Sequence, residues 1–233
     1  MPEERNRYRR NRGRRNEKRK EEKIEWIPKT KLGKEVMNGN IKKIDDILDK
    51  NLKIFEPEIV DFLLPDIETE IIKIGQAKGK FGGGKRRPWR QTQKKTAEGN
   101  VPTFGCMVVV GDKNSHVGLG YGRAKETVPA KLKAIRKAKL NLFSVRRGCG
   151  SFDCTCSEKH SIPIKISGKV GSLLIRLIPA PKGTGLAADS ECKKLFRLAG
   201  IKDIYTKSYG QTRTKINMLK ASVDALKNLS KHI

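Results

Sequence analysis

The sequence predicts an α+β protein: two small modules of antiparallel strands with packed helices, preceded by a short-helix extension and a basic tail. Three observations predict it. Apolar residues recur at helical spacing between Ile41 and Leu64, then alternate from Ile67 onward. A sequence of strands followed by a helix occurs once between Ile67 and Leu142 and again after Ile162. A basic, glycine-rich stretch and a cysteine-rich stretch fall between these units. The boundaries read as a tail at 1–23, an extension at 24–66, a first domain at 67–143 and a second at 144–233.

The tail holds 11 basic and 5 acidic side chains and almost nothing to bury, so it should be disordered when free. It lacks the apolar run of a secretory signal. In the extension, Thr30 is a plausible cap for a helix through Met37, ended by Asn38-Gly39. Ile41, Ile44, Ile47 and Leu48 suggest a second helix, and Pro57 opens a third that stops before Pro65. These helices look too short to form a core.

Ile67–Ile74 alternates as a strand. A glycine-rich basic loop is expected over about 78–102, followed by a buried strand at Phe104–Gly111. A turn at Asp112-Lys113-Asn114-Ser115 returns the chain as a strand over His116–Arg123. A helix should run from about Lys125 to Leu142, with Leu132, Ile135, Ala138 and Leu142 on its apolar face. In the second domain, Ile162, Ile164 and Ile166 alternate, Gly168–Gly171 turns the chain, and Leu173, Ile175 and Leu177 alternate back. A helix carrying Leu195, Leu198 and Ala199 stops at Gly200. Ile201–Lys207 is a strand, and 214–230 is a helix marked by Ile216, Leu219, Val223, Leu226 and Leu229.

Charge names the class of partner. The chain of 233 residues has 52 Lys and Arg against 25 Asp and Glu, a formal net charge of +27. That excess suits a polyanion, whose phosphates it neutralises with release of counterions. An anionic membrane is the rival, but the longest apolar runs, around Met107–Val110 and Leu173–Ile178, are far too short to span one. Segment 24–75 is mildly acidic, with 8 basic and 11 acidic residues, and reads as a protein-facing or structural part. Five Cys without a signal sequence imply thiols in a reducing compartment.

The strongest nucleic-acid signal lies within 78–95. Gly82, Gly83 and Gly84 let backbone approach phosphates, and Lys78, Lys80, Lys85, Arg86, Arg87, Arg90, Lys94 and Lys95 supply charge. Trp89 offers a stacking face for an unpaired base. Arg123, Lys125, Arg146 and Arg147 flank the ends of the first module and are further candidate phosphate contacts; Arg213 joins this set. Lys182-Gly183-Thr184-Gly185 lies ahead of a helix, where backbone N–H groups can hold phosphate. The same loop raises a kinase reading, weakened by the scarcity of nearby acids: only Asp189 and Glu191 are at hand.

Cys149-x4-Cys154-x-Cys156-x3-His160 places three thiols and an imidazole within twelve residues, the donor set of a tetrahedral structural zinc site. Chance clustering of thiols is the alternative. Cys106 and Cys192 read as small core residues, and His116 as structural. No nucleophile stands beside a credible base, so no catalytic constellation is expected.

Several separated motifs then carry a resemblance: GDKNSHVGLGYGRAK at 111–125, PAPKGTG at 179–185, LAGIKDIY at 198–205, SYGQTRTKIN at 208–217 and KASVDALKNL at 220–229. In that order they resemble small-subunit ribosomal protein five of the universal nomenclature. The SIPIKISGKVGS hairpin and its RRGCG lead-in resemble the archaeal and eukaryotic branch more than the bacterial one. The resemblance implies a double-stranded-RNA-binding-like first domain and a ribosomal βαβ sandwich with a left-handed crossover. It implies a non-enzymatic constituent of the cytoplasmic small subunit, bound to small-subunit rRNA near the head–body junction. Messenger RNA would enter nearby, and ribosomal proteins four, three and two would be neighbours, with a link to assembly and decoding accuracy. The resemblance does not require a metal, because eukaryotic relatives lack the thiols. A free double-stranded-RNA-binding regulator and a small-molecule-kinase-like enzyme are the alternatives.

Overall fold

The computed structural model describes residues 26–76 and 86–231. The basic tail and the first part of the glycine-rich segment therefore lie outside the described residues.

The extension forms three short helices: α1 (Lys31–Met37), α2 (Asp45–Asp49) and α3 (Glu58–Leu63). Thr30 caps α1 as expected, its hydroxyl accepting from the Gly33 amide at 3.1 Å. Contrary to expectation, these helices do build a core. Val36, Ile44, Ile47, Ile54, Ile59 and Val60 are buried together against Leu142. Glu56 closes the loop end by accepting from the Trp26 indole and from the Lys29 and Thr30 amides. Short helices with few internal bonds gain stability from such packing.

The first sheet has five strands: β1 (Glu68–Ile72), β2 (Arg90–Thr96), β3 (Gly99–Gly111), β4 (His116–Ala124) and β5 (Leu142–Ser144). β1 and β2 lie end to end along one edge of β3, pairing with Met107–Gly111 and with Gly99–Gly105. β4 takes the opposite edge. Residues 90–102, expected as loop, are thus a hairpin. The expectation failed because β2 is polar on both faces and exposed along most of its length; pairing with β3, not burial, makes it a strand.

Helix α4 (Thr127–Leu140) covers one face of this sheet, and its buried side is only partly the one expected: Ala138 is buried and Ile135 packs beside it, but Leu132 and Leu142 do not share that face. Ala130, Ala134 and Ala138 face inward, while Leu132 is 61 % exposed. Leu142 belongs to β5 and packs on the extension. Glycines at alternate positions of β4 explain the choice. A Cβ at Gly118, Gly120 or Gly122 would lie 2.2, 2.1 or 2.3 Å from the carbonyl oxygen of Ala138, Ala134 or Ala130. Small residues on both surfaces bring helix backbone directly onto the strand.

The second sheet runs β6 (Ile166–Val170), β7 (Leu173–Pro179), β9 (Ile204–Tyr209), β8 (Leu186–Ala187), with β8 parallel to β9 and the other pairs antiparallel. Helix α5 (Ser190–Leu198) links β8 to β9, and α6 (Lys215–Lys231) packs on β6 and β7. Gly168 is not in the turn but inside β6, where a side chain would strike Ala221 of α6. The hairpin turns at Gly171-Ser172 instead. Gly200 ends α5 at φ +76°, where a side chain would be strained.

One apolar core spans both units. Ile72, Met107, Val109 and Val117 of the first sheet join Leu173, Ile175, Leu177, Leu195, Phe196, Leu198 and Leu226 of the second unit. Polar bonds reinforce the seam: Glu191 accepts from the Lys73 amide at 3.0 Å and from Lys194 at 2.9 Å, and Lys194 also donates to the Ile71 carbonyl. The two basic surfaces are therefore held in one fixed relation.

Candidate nucleic-acid interface and metal centre

The residues expected to meet RNA divide by position. Lys78, Lys80, Gly82, Gly83, Gly84 and Lys85 lie outside the described residues. Arg86 reaches the second unit, its Nη2 donating to the Arg213 carbonyl at 3.0 Å, so these two basic residues are brought together. Arg87 is exposed, and its carbonyl accepts from the Gly75 amide. Trp89 is half-buried against the cluster of Cys106, Val108 and the α4 alanines, so part of its ring serves packing rather than stacking.

Arg90 and Arg123 stand in one register row on either side of Gly105. Both are exposed. Arg123 is braced by the hydroxyls of Thr103 and Thr92, at 2.7 and 2.9 Å. Lys94 shares the face of Arg90, because strand side chains alternate; Lys95 projects on the other face. Lys125 is exposed between β4 and α4. The first sheet thus extends past its core as a cationic hairpin whose threonines hold a guanidinium in place.

The remaining candidates cluster on the second unit. Arg146 is exposed, and Arg147 donates to the Gly200 carbonyl at 3.2 Å. The Lys182 loop does not open a helix. β8 intervenes, and the N-terminus of α5 is capped by Asp189, which accepts from the Glu191 amide. Lys182 itself pairs with Glu158 at 2.6 Å. The kinase reading loses its basis, since the loop lacks the helix dipole it would need.

The loop serves the cysteine cluster instead. One ligand atom from each of Cys149, Cys154, Cys156 and His160 lies within 4.8 Å of the others. The Cys154 and Cys156 sulfurs are 3.0 Å apart, and His160 Nε2 is 3.7 Å from Cys154 Sγ. Nδ1 of His160 faces Asp203 Oδ2 at 2.8 Å, which leaves Nε2 free as a donor atom. Asp203, nine-tenths buried and more, accepts the Gly185 amide at 2.7 Å through its other oxygen. The hydrogen bond from Cys156, with help from the Lys182 and Cys156 amides, holds the Cys154 thiol well below its ordinary range; that same bond pushes Cys156 up. Three sulfurs, one oriented imidazole and a supporting carboxylate fit a tetrahedral metal ion. Asp203 was missed in the sequence because it lies 43 residues beyond His160, and no spacing rule links them.

The other cysteines and His116 are structural. Burial pushes the Cys106 and Cys192 thiols up to about 11. His116 is wedged between Asp112, at 2.6 Å, and Asp45 of α2, at 2.8 Å.

Comparison with known proteins follows the same division of the chain. The profile of "Ribosomal protein S5, N-terminal domain" matches residues 89–146, and that of "Ribosomal protein S5, C-terminal domain" matches residues 168–233. The small ribosomal subunit protein uS5 of Nanoarchaeum equitans is 52 % identical over 206 residues, covering 88 % of each chain. Its namesake from Methanocaldococcus jannaschii is 47 % identical over 206 residues, again 88 % of each chain. That of Staphylothermus marinus is 45 % identical over 208 residues, covering 89 % of this chain and 90 % of the relative.

The chain belongs to the ribosomal protein S5 family.

As a member of the S5 family it is a structural, non-enzymatic protein. The N-terminal S5 match begins at Trp89 and includes the cationic hairpin. The segment between the two matches, 147–167, holds the cysteine cluster.

Proposed function

We propose that this protein is a constituent of the cytoplasmic small ribosomal subunit that binds small-subunit rRNA through two basic surfaces held in fixed relation. The observation that carries the reading is the S5-family relationship across 88 % of the chain, at 52 % identity to one relative. Membership makes rRNA and other ribosomal proteins the partners. The finer placement is an extension of that reading: near the head–body junction, where messenger RNA enters, beside ribosomal proteins four, three and two, with a role in assembly and decoding accuracy. The exposed Arg90 and Arg123 row, Lys94 on the face of Arg90, and the Arg86–Arg213 contact support a surface that clasps RNA from both units. Among the described residues no helix is long and apolar enough to cross a membrane.

Competition between native small-subunit rRNA and a generic RNA duplex tests this. The protein should prefer the rRNA and lose affinity with salt at a log–log slope of about −0.9 per phosphate neutralised on duplex. Equal binding to both would favour a free duplex-binding regulator.

The cluster of Cys149, Cys154, Cys156 and His160 holds one zinc ion in this reading. Four protein ligands make such a site structural, since no position is left open for water. The ion would fix the loop that leads from the first unit into the second. Elemental analysis should return about one zinc per chain, and Cys154→Ser with Cys156→Ser should lose it. Metal-free protein with thiols that react freely would overturn the assignment.

A further inference from the structure

Beside the ligand loop lies a cleft of about 360 Å³ lined by Ser115, Val145, Arg146, Arg147, Lys159 and Pro163. Three of its six wall residues are cations, and none is an acid. Arg147 is fixed by its bond to the Gly200 carbonyl. Lys159 precedes His160, whose ring is anchored on Asp203, so the backbone of the lysine is held beside the cluster. The backbone at Ser161 is tied to Gly148 by two bonds of 2.9 Å, closing the base of the loop.

The same loop carries Phe152, fully exposed at 102 %. Gly150 seats the loop on a wall of the cleft: a Cβ there would lie 1.8 Å from the Pro163 carbonyl oxygen. Phe152 follows Gly150 by two positions in the chain, so its Cα lies within about 7 Å of the Gly150 Cα. A lone exposed phenylalanine is ordinary. An exposed ring carried by the loop that seats on a cationic cleft is the pairing that single-stranded nucleic acid uses, charge on phosphate and ring on base.

We infer that this cleft seats a backbone phosphate of unpaired small-subunit rRNA through Arg146, Arg147 and Lys159, while Phe152 stacks on an adjacent base. The inference rests on the rRNA-binding reading above and adds to it a site and two residues, Phe152 and Lys159. With no acid in its wall, the cleft suits RNA better than a protein partner.

The test uses the full chain and native small-subunit rRNA, with the unfolding midpoint of each variant measured alongside. Phe152→Ala should weaken binding by roughly 5- to 140-fold, and Phe152→Tyr should restore it. Arg146→Gln with Lys159→Gln should make the salt slope shallower by about 0.7 for each phosphate of single-stranded RNA that is no longer neutralised. Wild-type affinity and slope in these variants would overturn the inference while leaving the ribosomal reading intact. Failure of the wild-type chain to bind rRNA would instead overturn the ribosomal reading. If Phe152→Ala binds rRNA normally but no longer retains a ribosomal protein neighbour in assembled subunits, the ring meets protein and the stacking claim is wrong.

Discussion

Asp203 Oδ2 lies 2.8 Å from His160 Nδ1, and with the Lys202 and Asp203 amides, which donate to the His160 carbonyl, it joins the cysteine loop to the residues leading into β9. The same carboxylate accepts the Gly185 amide, so the PAPKGTG loop, the histidine of the cysteine cluster and the second sheet share a buried anchor. The bond also fixes which ring nitrogen can bind metal.

Removing that anchor should weaken metal binding at the proposed site without removing a ligand. Asp203→Asn should lower zinc affinity by about 10- to 100-fold, the range for outer partners of metal-bound histidines. Competition with a chromophoric chelator measures it. Unchanged affinity would mean that Asp203 serves only the Gly185 turn.

The glycine row of β4 predicts a packing defect. In Gly120→Ala the new methyl carbon would start 2.1 Å from the Ala134 carbonyl oxygen, so α4 must move away. The cost should be about 1–3 kcal/mol, read from the urea midpoint. Leu132→Ala, on the exposed face of the same helix, should change stability by no more than about 0.5 kcal/mol.

These two helix faces also show what was legible in the sequence. Strand and helix positions in the second unit followed from the alternation of Leu173, Ile175 and Leu177 and from the spacing of Leu219, Val223, Leu226 and Leu229, because burial itself writes those patterns. The buried face of α4 was misread at Leu132 because hydrophobicity favours leucine over alanine, whereas the fit onto Gly118, Gly120 and Gly122 admits only small residues. The hairpin at 90–102 was misread as loop because its order comes from pairing, which leaves no apolar periodicity. At the site, the four ligands were legible as a local cluster. Asp203 was not, since its partnership exists only in space.

His116 predicts a pH dependence. Burial alone would lower its pKa, but the bonds to Asp112 and Asp45 outweigh burial and raise it above the ordinary value. Its contribution is therefore fully present below about pH 6.5 and is lost as pH rises through the raised value. Burial acts on Asp112 in the opposite sense, raising its pKa, and is outweighed by the His116 side chain and the Ser115, Asn114 and His116 amides, which hold it well below the carboxylate range. That contribution is present above about pH 3.9 and fades as pH falls. Urea midpoints across roughly pH 4–9 should fall on the alkaline side, and Asp45→Asn should flatten that fall. An identical profile in the variant would show that Asp45 does not support the charged ring.

The cationic hairpin predicts a charge effect without a stability effect. Arg90 and Lys94 are exposed on β2, and neither has an ion-pair partner among the described residues. Arg90→Ala with Lys94→Ala should leave the unfolding midpoint within about 0.5 kcal/mol of wild type. It should reduce the salt slope of rRNA binding by about 0.9 for each duplex phosphate that is no longer neutralised. A wild-type slope would remove the hairpin from the interface.

Sedimentation in the native cell extract tests the central claim most directly. Under conditions that separate ribosomal subunits, the protein should migrate with the small subunit in about one copy per particle, and high salt should shift it toward the top of the gradient. A protein that stays at the top at low salt, absent from the small-subunit peak, would contradict the account.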